Sequence, residues 1–394
     1  MRWSLLLSLA AALMVGTAGA AVSADVEAPA QSITQVSPTR VTVSWPAAAS
    51  GFHLVVSRAG SIVVDTTSEG STIQVDLPAD AVGRRLTYDL TSLVGEGQEP
   101  MAARGEFATR PSSVTVRLMT YNLCTQRCRA ITLPTPARLR GMVAQVAERQ
   151  PDVLAVQEAG ARTSRVHRRL VAALDDVGYQ RAAGHSGTYL FYRYRTMSAR
   201  TPDDGHLWGR TVLARHTRRT GTRPAPVQEL RHRATGARLV VAGYHLTALD
   251  TARKDRARAN EHRDVERVIA AWRRTHPGVP VFEIGDFNSL VQQQTRRYDS
   301  DSHRQRVWKA VRQAGLTDAV MVASTRSQHR LNTINQRSSD RRRFGPGRHL
   351  DHIFVPRRTP VKAWGLISRD VAYSNQLSDH DPVWADVEVG VTGS

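Results

Sequence analysis

Between residues 32 and 110 apolar and polar positions alternate in short runs: RVTVSW, FHLVVSR, SIVVDTT, STIQVDL and LTYDLTSL, each bounded by Gly, Pro, Ser or Asp. A period of two over such runs marks half-buried antiparallel strands joined by turns. Six or seven of them in this segment predict a small all-β sandwich. Further along the pattern changes. RLRGMVAQVAERQ, residues 138–150, spaces Leu139, Met142, Val143 and Val146 at three and four, which predicts an amphipathic helix stopped by Pro151. Val153–Val156 then reads as a strand ending in Gln157 and Glu158, and TSRVHRRLVAALDDVGY as a second helix. RLVVAGYHLTALD is an apolar strand reaching His245, followed by a basic helix over 252–274. VPVFEIGDFNS is a buried strand ending at Asp286 and Asn288, and HLDHIFV and SDHDPVWADVEV bracket the last strands. This alternation predicts an α/β domain behind the all-β one, joined by a short linker at FATRPSSVTV.

The N-terminus narrows the setting. Arg2, an apolar run from Leu5 to Val15, and the small-residue stretches Ala18-Gly19-Ala20 and Val22-Ser23-Ala24 read as a cleaved secretory signal peptide over residues 1–24. The apolar core is too short for a membrane span, which takes about 20 residues. The expected mature protein is soluble and secreted.

Charge divides the remainder. Residues 25–111 hold six Arg, no Lys and ten acidic residues, whereas residues 112–394 hold 47 basic and 25 acidic residues, a net of +22. Only three of the 54 basic residues are Lys, so compositional bias accounts for Arg in place of Lys. It does not account for an acidic first domain beside a basic second one. A basic domain points to a polyanionic partner, nucleic acid first and an anionic membrane second.

Five predicted strands carry a polar residue suited to metal or acid–base chemistry at one end: Asn122, Glu158, His245, Asp286 with Asn288, and Asp379 with His380. Each alone has a structural alternative. Asn122 suits a turn, Asp286 with Asn288 an Asx turn, and His245 a core histidine. Together they suggest convergence on one edge of an α/β fold. Two resemblances give this substance. Trp45, the GFHLVV strand, Leu77 and Tyr88 resemble a fibronectin type III domain over 25–111, a fold that implies a spacer or adhesion module and no chemistry. MTYN, PDVLAVQE, YHL, GDFNS, LDHIF and SDHDPV occur in the order and spacing of the endonuclease/exonuclease/phosphatase superfamily, to which the segment is similar and whose members include deoxyribonuclease I, abasic-site endonucleases, sphingomyelinases and inositol phosphatases.

The second resemblance runs from about 114 to 389, within a domain over 112–394, and implies a four-layer sandwich, two mixed β-sheets flanked by helices. It implies Glu158 as principal metal ligand with Asn122 and Asp379 beside it. It further implies Asp286 as orienter or base for water, the Asn288 amide on phosphate or water, and His380 as a donor oriented by Asp351. His245 stands where many members place a second catalytic histidine. An oxygen-rich set without a thiolate cluster points to Mg²⁺, with Mn²⁺ or Ca²⁺ as alternatives. His352 reads as structural, and Asp152 as a residue opening a strand near the site.

Substrate is less constrained. The segment 324–350 holds seven arginines, among them Arg341, Arg342, Arg343 and Arg348, and is either a solvated loop or a phosphate-backbone contact. It offers few aromatics for base stacking, so sequence-independent backbone binding is favoured. The leading expectation is a metal-dependent nuclease acting on DNA or RNA. The alternatives are a phosphatase or phosphodiesterase on lipid headgroups or small phosphoesters, and a non-catalytic adhesion protein. Cys124 and Cys128 lack the further ligands of a zinc site and the C-x2-C spacing of a redox pair. A small disulfide or two free thiols remain, and a bridge requires the chain to turn back between them.

Overall fold

The computed structural model describes residues 32–37, 39–45, 51–94, 100–109, 112–125, 128, 131–199, 210–215, 222–249, 251–290, 306–329, 332–334, 349–369, 371 and 373–391. The expected signal segment and Arg341, Arg342, Arg343 and Arg348 lie outside these residues. The chain divides into two compact units, the smaller built mainly from 41–76 and 86–107, the larger from 108–394 with 35–40 and 77–85.

The N-terminal strands are β1 (Ser32–Ser37), β2 (Arg40–Ser44), β3 (Gly51–Arg58), β4 (Ser61–Ser68), β5 (Thr72–Asp76), β6 (Arg85–Leu93) and β7 (Ala102–Ala108). They form a three-stranded sheet, β1-β2-β5, and a four-stranded one, β4-β3-β6-β7. Alternation decides which side chains go inside. Leu86, Tyr88 and Leu90 of β6 are buried while their neighbours are not. Trp45, just after β2, packs on Phe52 of β3 with ring centroids 4.4 Å apart. The described residues of this segment form these strands and one short 3-10 turn, Ala79–Ala81.

The larger unit contains two mixed sheets. The first runs β10 (Tyr179–His185), β11 (Thr188–Arg193), β9 (Val153–Gln157), β8 (Ser113–Asn122), β21 (Val383–Gly390), β20 (Val361–Leu366) and β18 (Thr325–Ser327). The second runs β12 (Met197–Ala199), β14 (Thr222–His232), β15 (Arg238–His245), β16 (Val281–Asp286), β19 (Asp351–Pro356) and β17 (Leu316–Asp318), with β13 (Arg210–Arg215) paired to β14.

Each central strand is apolar on both faces because each face meets a different layer. Val116 and Leu118 of β8 point into a core shared with Leu239, Val241, Phe282, Ile284 and Ile353 of the second sheet. Met119 and Tyr121 point the other way, onto α1 (Thr135–Arg149) and α2 (Arg165–Asp176). On the far face of the second sheet, Val240, Tyr244 and Val281 meet Val265, Ile269 and Trp272 of α3 (Ala252–Thr275) and Val307 and Val311 of α4 (Arg306–Gln313). The result is helix, sheet, sheet, helix, the four-layer arrangement implied by the motifs. All four spaced apolar residues of α1 are buried. At about 1.5–3 kcal/mol for each large side chain removed from water, that face outweighs any propensity term in fixing the helix.

Asp152 requires a correction. Its carboxylate accepts the Arg117 backbone N–H at 2.8 Å and the Thr196 hydroxyl at 2.6 Å. It precedes β9, at the end opposite Gln157, and so is remote from the strand ends that gather the other candidates.

Candidate active site

Strand register brings the polar ends together. β8 and β9 are parallel, with Asn122 opposite Gln157, so Glu158 leaves the same edge. In the second sheet β15 and β16 are parallel, with His245 opposite Asp286, and β19 runs antiparallel to place Asp351 opposite Asp286. The two edges meet where Asn122 Nδ2 donates to Asp286 Oδ2 at 3.1 Å. Close approach of β15 to β16 depends on Gly285, where a Cβ would stand 2.1 Å from the Tyr244 carbonyl oxygen. That is the physical content of the glycine in GDFN.

Local backbone devices hold the functional groups. Glu158 adopts a left-handed φ of 52°, and its carbonyl accepts both the hydroxyl and the N–H of Thr125. Asn288 is also left-handed, at 48°, and its N–H donates to Asp286 Oδ1 at 2.8 Å, closing an Asx turn. The Asn288 side chain donates to the Leu246 carbonyl at 3.1 Å, so this amide is engaged in holding the segment after His245. His245 Nε2 lies between two acids, 3.8 Å from Glu158 and 3.7 Å from Asp286. His380 Nδ1 donates to Asp351 at 2.7 Å, and its Nε2 faces Asp286 at 4.0 Å.

Three residues without an expected role complete the frame. Ser378 donates to the Asn122 carbonyl at 2.6 Å and accepts the His380 N–H at 3.2 Å, tying the SDH segment to β8. Thr333, fully buried, accepts the Leu350 N–H at 2.9 Å, and its carbonyl accepts the Asp381 N–H at 2.7 Å. Gln157 pairs with Thr120 inside the first sheet. Ser378 stands inside a motif and is visible as such; Thr333 lies in a polar stretch with no local signal.

The electrostatics are those of crowded acids. Burial, then Asp379 and Asp286 nearby, raise the Glu158 carboxyl, with His380 and the Asn122 amide pulling it down. Burial and Asp351 likewise raise Asp286, against His380 and His245. Burial opposes the charged form of His380, yet Asp351, Asp286 and Asp379 outweigh it and hold the imidazolium well above its ordinary range. Asp286, Asp351 and His380 offer atoms within 4.8 Å of one another. With the imidazole neutral, these atoms could hold a metal ion; protonated, the ring has no lone pair for one and suits proton transfer instead. The mutual repulsion of Glu158, Asp379 and Asp286 is what a hard divalent cation would neutralise, and the oxygen-rich donor set fits one.

Cys124 and Cys128 form a disulfide with Cα atoms 5.7 Å apart. Cys124 is left-handed, φ 43°, which turns the chain back, and its N–H donates to Asn122 Oδ1 at 3.0 Å. The bridged loop therefore buttresses Asn122. His352 points to the opposite face of β19, held by Asp318 at 2.6 Å and the Ser289 carbonyl at 2.8 Å.

Solved structures share this fold. An endonuclease/exonuclease/phosphatase family protein from Bacteroides thetaiotaomicron is 19% identical, with a TM-score of 0.51 over 70% of this chain and 95% of the other. A conserved protein of unknown function from Enterococcus faecalis is 15% identical, with a TM-score of 0.52 over 71% and 100%. A mannosyl-6-phosphatase from B. thetaiotaomicron is 18% identical, with a TM-score of 0.50 over 69% and 99%. No curated protein matches the chain. The sequence model of the Endonuclease/Exonuclease/phosphatase family, a family of phosphoric ester hydrolases that are generally divalent-metal dependent, matches residues 119–380. With its motifs at the strand ends and its four layers in place, this chain belongs to that family.

Proposed function

We propose that the protein is a secreted, metal-dependent phosphodiesterase that hydrolyses the backbone of DNA or RNA with little sequence preference. The reading is carried by one juxtaposition: the buried Asp286 carboxylate sits 4.0 Å from an imidazole that is itself paired to Asp351. An acceptor for a water proton thus lies beside a donor for a phosphate oxygen, as in-line hydrolysis requires. Nucleic acid as substrate is supported by the net charge of +22 over residues 112–394.

In this assignment Asp286 orients the attacking water and accepts its proton. Asn122 and Asn288 fix the Asp286 carboxylate through one hydrogen bond to each oxygen. His380, kept protonated by Asp351, donates to a non-bridging oxygen as charge builds there. His245, between Glu158 and Asp286, offers a second donor on the other side. Glu158 and Asp379 would hold a divalent cation, with Asn122 beside them, and the cation would supply Lewis-acid neutralisation of the phosphate. The N-terminal sheets are assigned as a fibronectin type III-like spacer or adhesion module, and residues 1–24 as a signal peptide.

The test is a substrate panel of plasmid, RNA, sphingomyelin and a p-nitrophenyl phosphodiester, each with Mg²⁺ and with chelator. Activity on nucleic acid that chelator removes is expected; inactivity on both nucleic acids sinks the nuclease assignment. Asp286→Ala and His380→Ala should each lower kcat by about 10²–10⁴, the usual worth of a proton-transfer group, with the fold retained.

A further inference from the structure

A second cationic concavity lies outside the reacting centre. Between α2 and β10 runs a groove of about 530 Å³, lined among others by Arg162, His167, Arg168 and Arg181. Like charges are gathered there against their own preference. Arg162 and Arg181 repel one another, and burial adds to the cost of the Arg181 charge. The groove's one acid, Asp175, sits near the other end of α2. The arginines cluster at the N-terminus of α2, the positive end of the helix dipole, where the first turn carries no acidic residue. Such an arrangement destabilises the isolated fold. It becomes favourable when an anion fills it.

His167 shows how Arg181 is held. It is 1% exposed, and its Nε2 faces the Arg181 guanidinium at 3.2 Å. A guanidinium only donates, so Nε2 accepts and the ring is neutral, with its proton on Nδ1. The buried Nδ1 faces the Ala159 carbonyl, just short of full hydrogen-bonding geometry. Burial, then Arg181 and Arg162, push the His167 pKa down to about 4, against a pull from the Ala159 carbonyl. A neutral imidazole lets Arg181 keep its charge and turn its remaining N–H groups elsewhere.

We infer that this groove binds a phosphate of the substrate strand other than the one hydrolysed, through Arg162, Arg168 and Arg181. Arg162 lies four residues after Glu158, a chain reach of at most about 14 Å. That loop is pinned, since the Ala159 N–H donates to the Gly187 carbonyl at 3.0 Å and the Tyr189 hydroxyl to the Gly160 carbonyl at 3.0 Å. A flanking phosphate held there aligns the strand across the reacting centre. The inference rests on the nuclease reading, and the chemistry it names, a phosphate monoanion or dianion, is shared with free inorganic phosphate.

The test uses the full chain and the Arg162→Gln/Arg181→Gln double variant, with a short single-stranded oligonucleotide and with bis(p-nitrophenyl) phosphate, which has no second phosphate. The variant should raise KM for the oligonucleotide roughly tenfold, leave its kcat unchanged, and leave both constants for the small diester unchanged. The salt slope on the oligonucleotide should become shallower by about 0.7 for each phosphate charge that the variant no longer neutralises. Equal losses on both substrates mean a structural role and overturn the inference, as does an unchanged oligonucleotide KM. In a second arm inorganic phosphate is titrated while the His167 ring is followed by NMR; a shift in the wild type that the variant lacks is expected. If free phosphate shifts His167 but the oligonucleotide KM does not move, the groove serves the free ion and the strand assignment is wrong. A wild type active on the diester yet inert on all nucleic acids refutes the nuclease reading instead. The titration alone then decides the anion site, and a flat response removes it.

Discussion

Asp351→Asn isolates the charge that keeps His380 protonated. The substitution preserves volume and one hydrogen-bonding oxygen, exchanges the other oxygen for an NH2 donor, and removes the negative charge. In the native pair the side chains are 7% and 1% exposed and the contact is 2.7 Å. Hydrogen bonds to charged groups at such sites contribute about 1.5–3 kcal/mol net. The variant should therefore lower the His380 pKa, because the imidazolium loses its strongest opposing charge and hydrogen bond. Burial, which already disfavours the imidazolium, then meets opposition from Asp286 and Asp379 without Asp351. The direction follows from linkage. A histidine raised in the folded state stabilises it below the unfolded value, near 6.5, and that contribution is lost as pH rises through the folded value. In the variant the contribution is smaller and is gone at a lower pH, and the alkaline limb of the kcat profile on a small diester moves down with the folded pKa. Both are measurable, the first by NMR titration of the His380 ring, the second by steady-state kinetics with Mg²⁺ present. A ring titration and an alkaline limb that stay where the wild type has them would refute the assignment of His380 as the acid.

Gly285→Ala forces a Cβ to within 2.1 Å of the Tyr244 carbonyl; it should lower the melting temperature by several degrees, at about 4 °C or less per kcal/mol in a domain of this size, and abolish turnover even where the protein remains folded, whereas an active, fully stable variant contradicts the strand-contact account. Glu266 is raised to about 9 by burial and by Glu283 beside it, against Arg273; because the unfolded carboxyl releases its proton near 4.5, stability falls as pH climbs between these values. Glu266→Gln should remove that slope and be more stable than wild type at pH 8, by on the order of 2 kcal/mol, in parallel urea titrations across pH. Saturating Mg²⁺ at about a hundredfold over its Kd should add about 2.7 kcal/mol to stability, with protons released as the crowded carboxyls ionise. Glu158→Gln should erase most of that thermal shift, and an undiminished shift would move the cation elsewhere.

What can be read in the sequence follows from how local each cause is. The helices Thr135–Arg149 and Ala252–Thr275 announce themselves through spacing and through Pro151 or a threonine cap, all within a few residues. The strand ends at Asn122, His245 and Asp286 coincide with the expected ones because an apolar run stops where the first polar side chain meets the site. Asp351 and His352 separate by strand alternation, one toward His380 and the other toward Asp318. Asp152 misleads because a residue opening a strand and one closing it look alike until the strand's direction is known. The strands from Tyr179 to His232 give no comparable local signal, since their pairing is settled by partners far along the chain. The Thr333 and Ser378 hydroxyls act on backbone atoms of Leu350 and Asn122, partners that no local side-chain pattern reveals.

Because Asn122 and Glu158 belong to one sheet and His245, Asp286 and Asp351 to the other, the reacting geometry is a property of how the two sheets lie on each other. The surfaces in contact are apolar side chains such as Leu118, Val241 and Phe282, with no ladder of hydrogen bonds to index one sheet against the other. Packing volume thus sets the alignment. A methylene removed deep in that layer lets the sheets settle by a fraction of an ångström and transmits the change to the Asn122–Asp286 contact. Turnover in this protein should accordingly act as a vernier on its core, losing rate at temperatures where spectroscopic signals of unfolding are still silent.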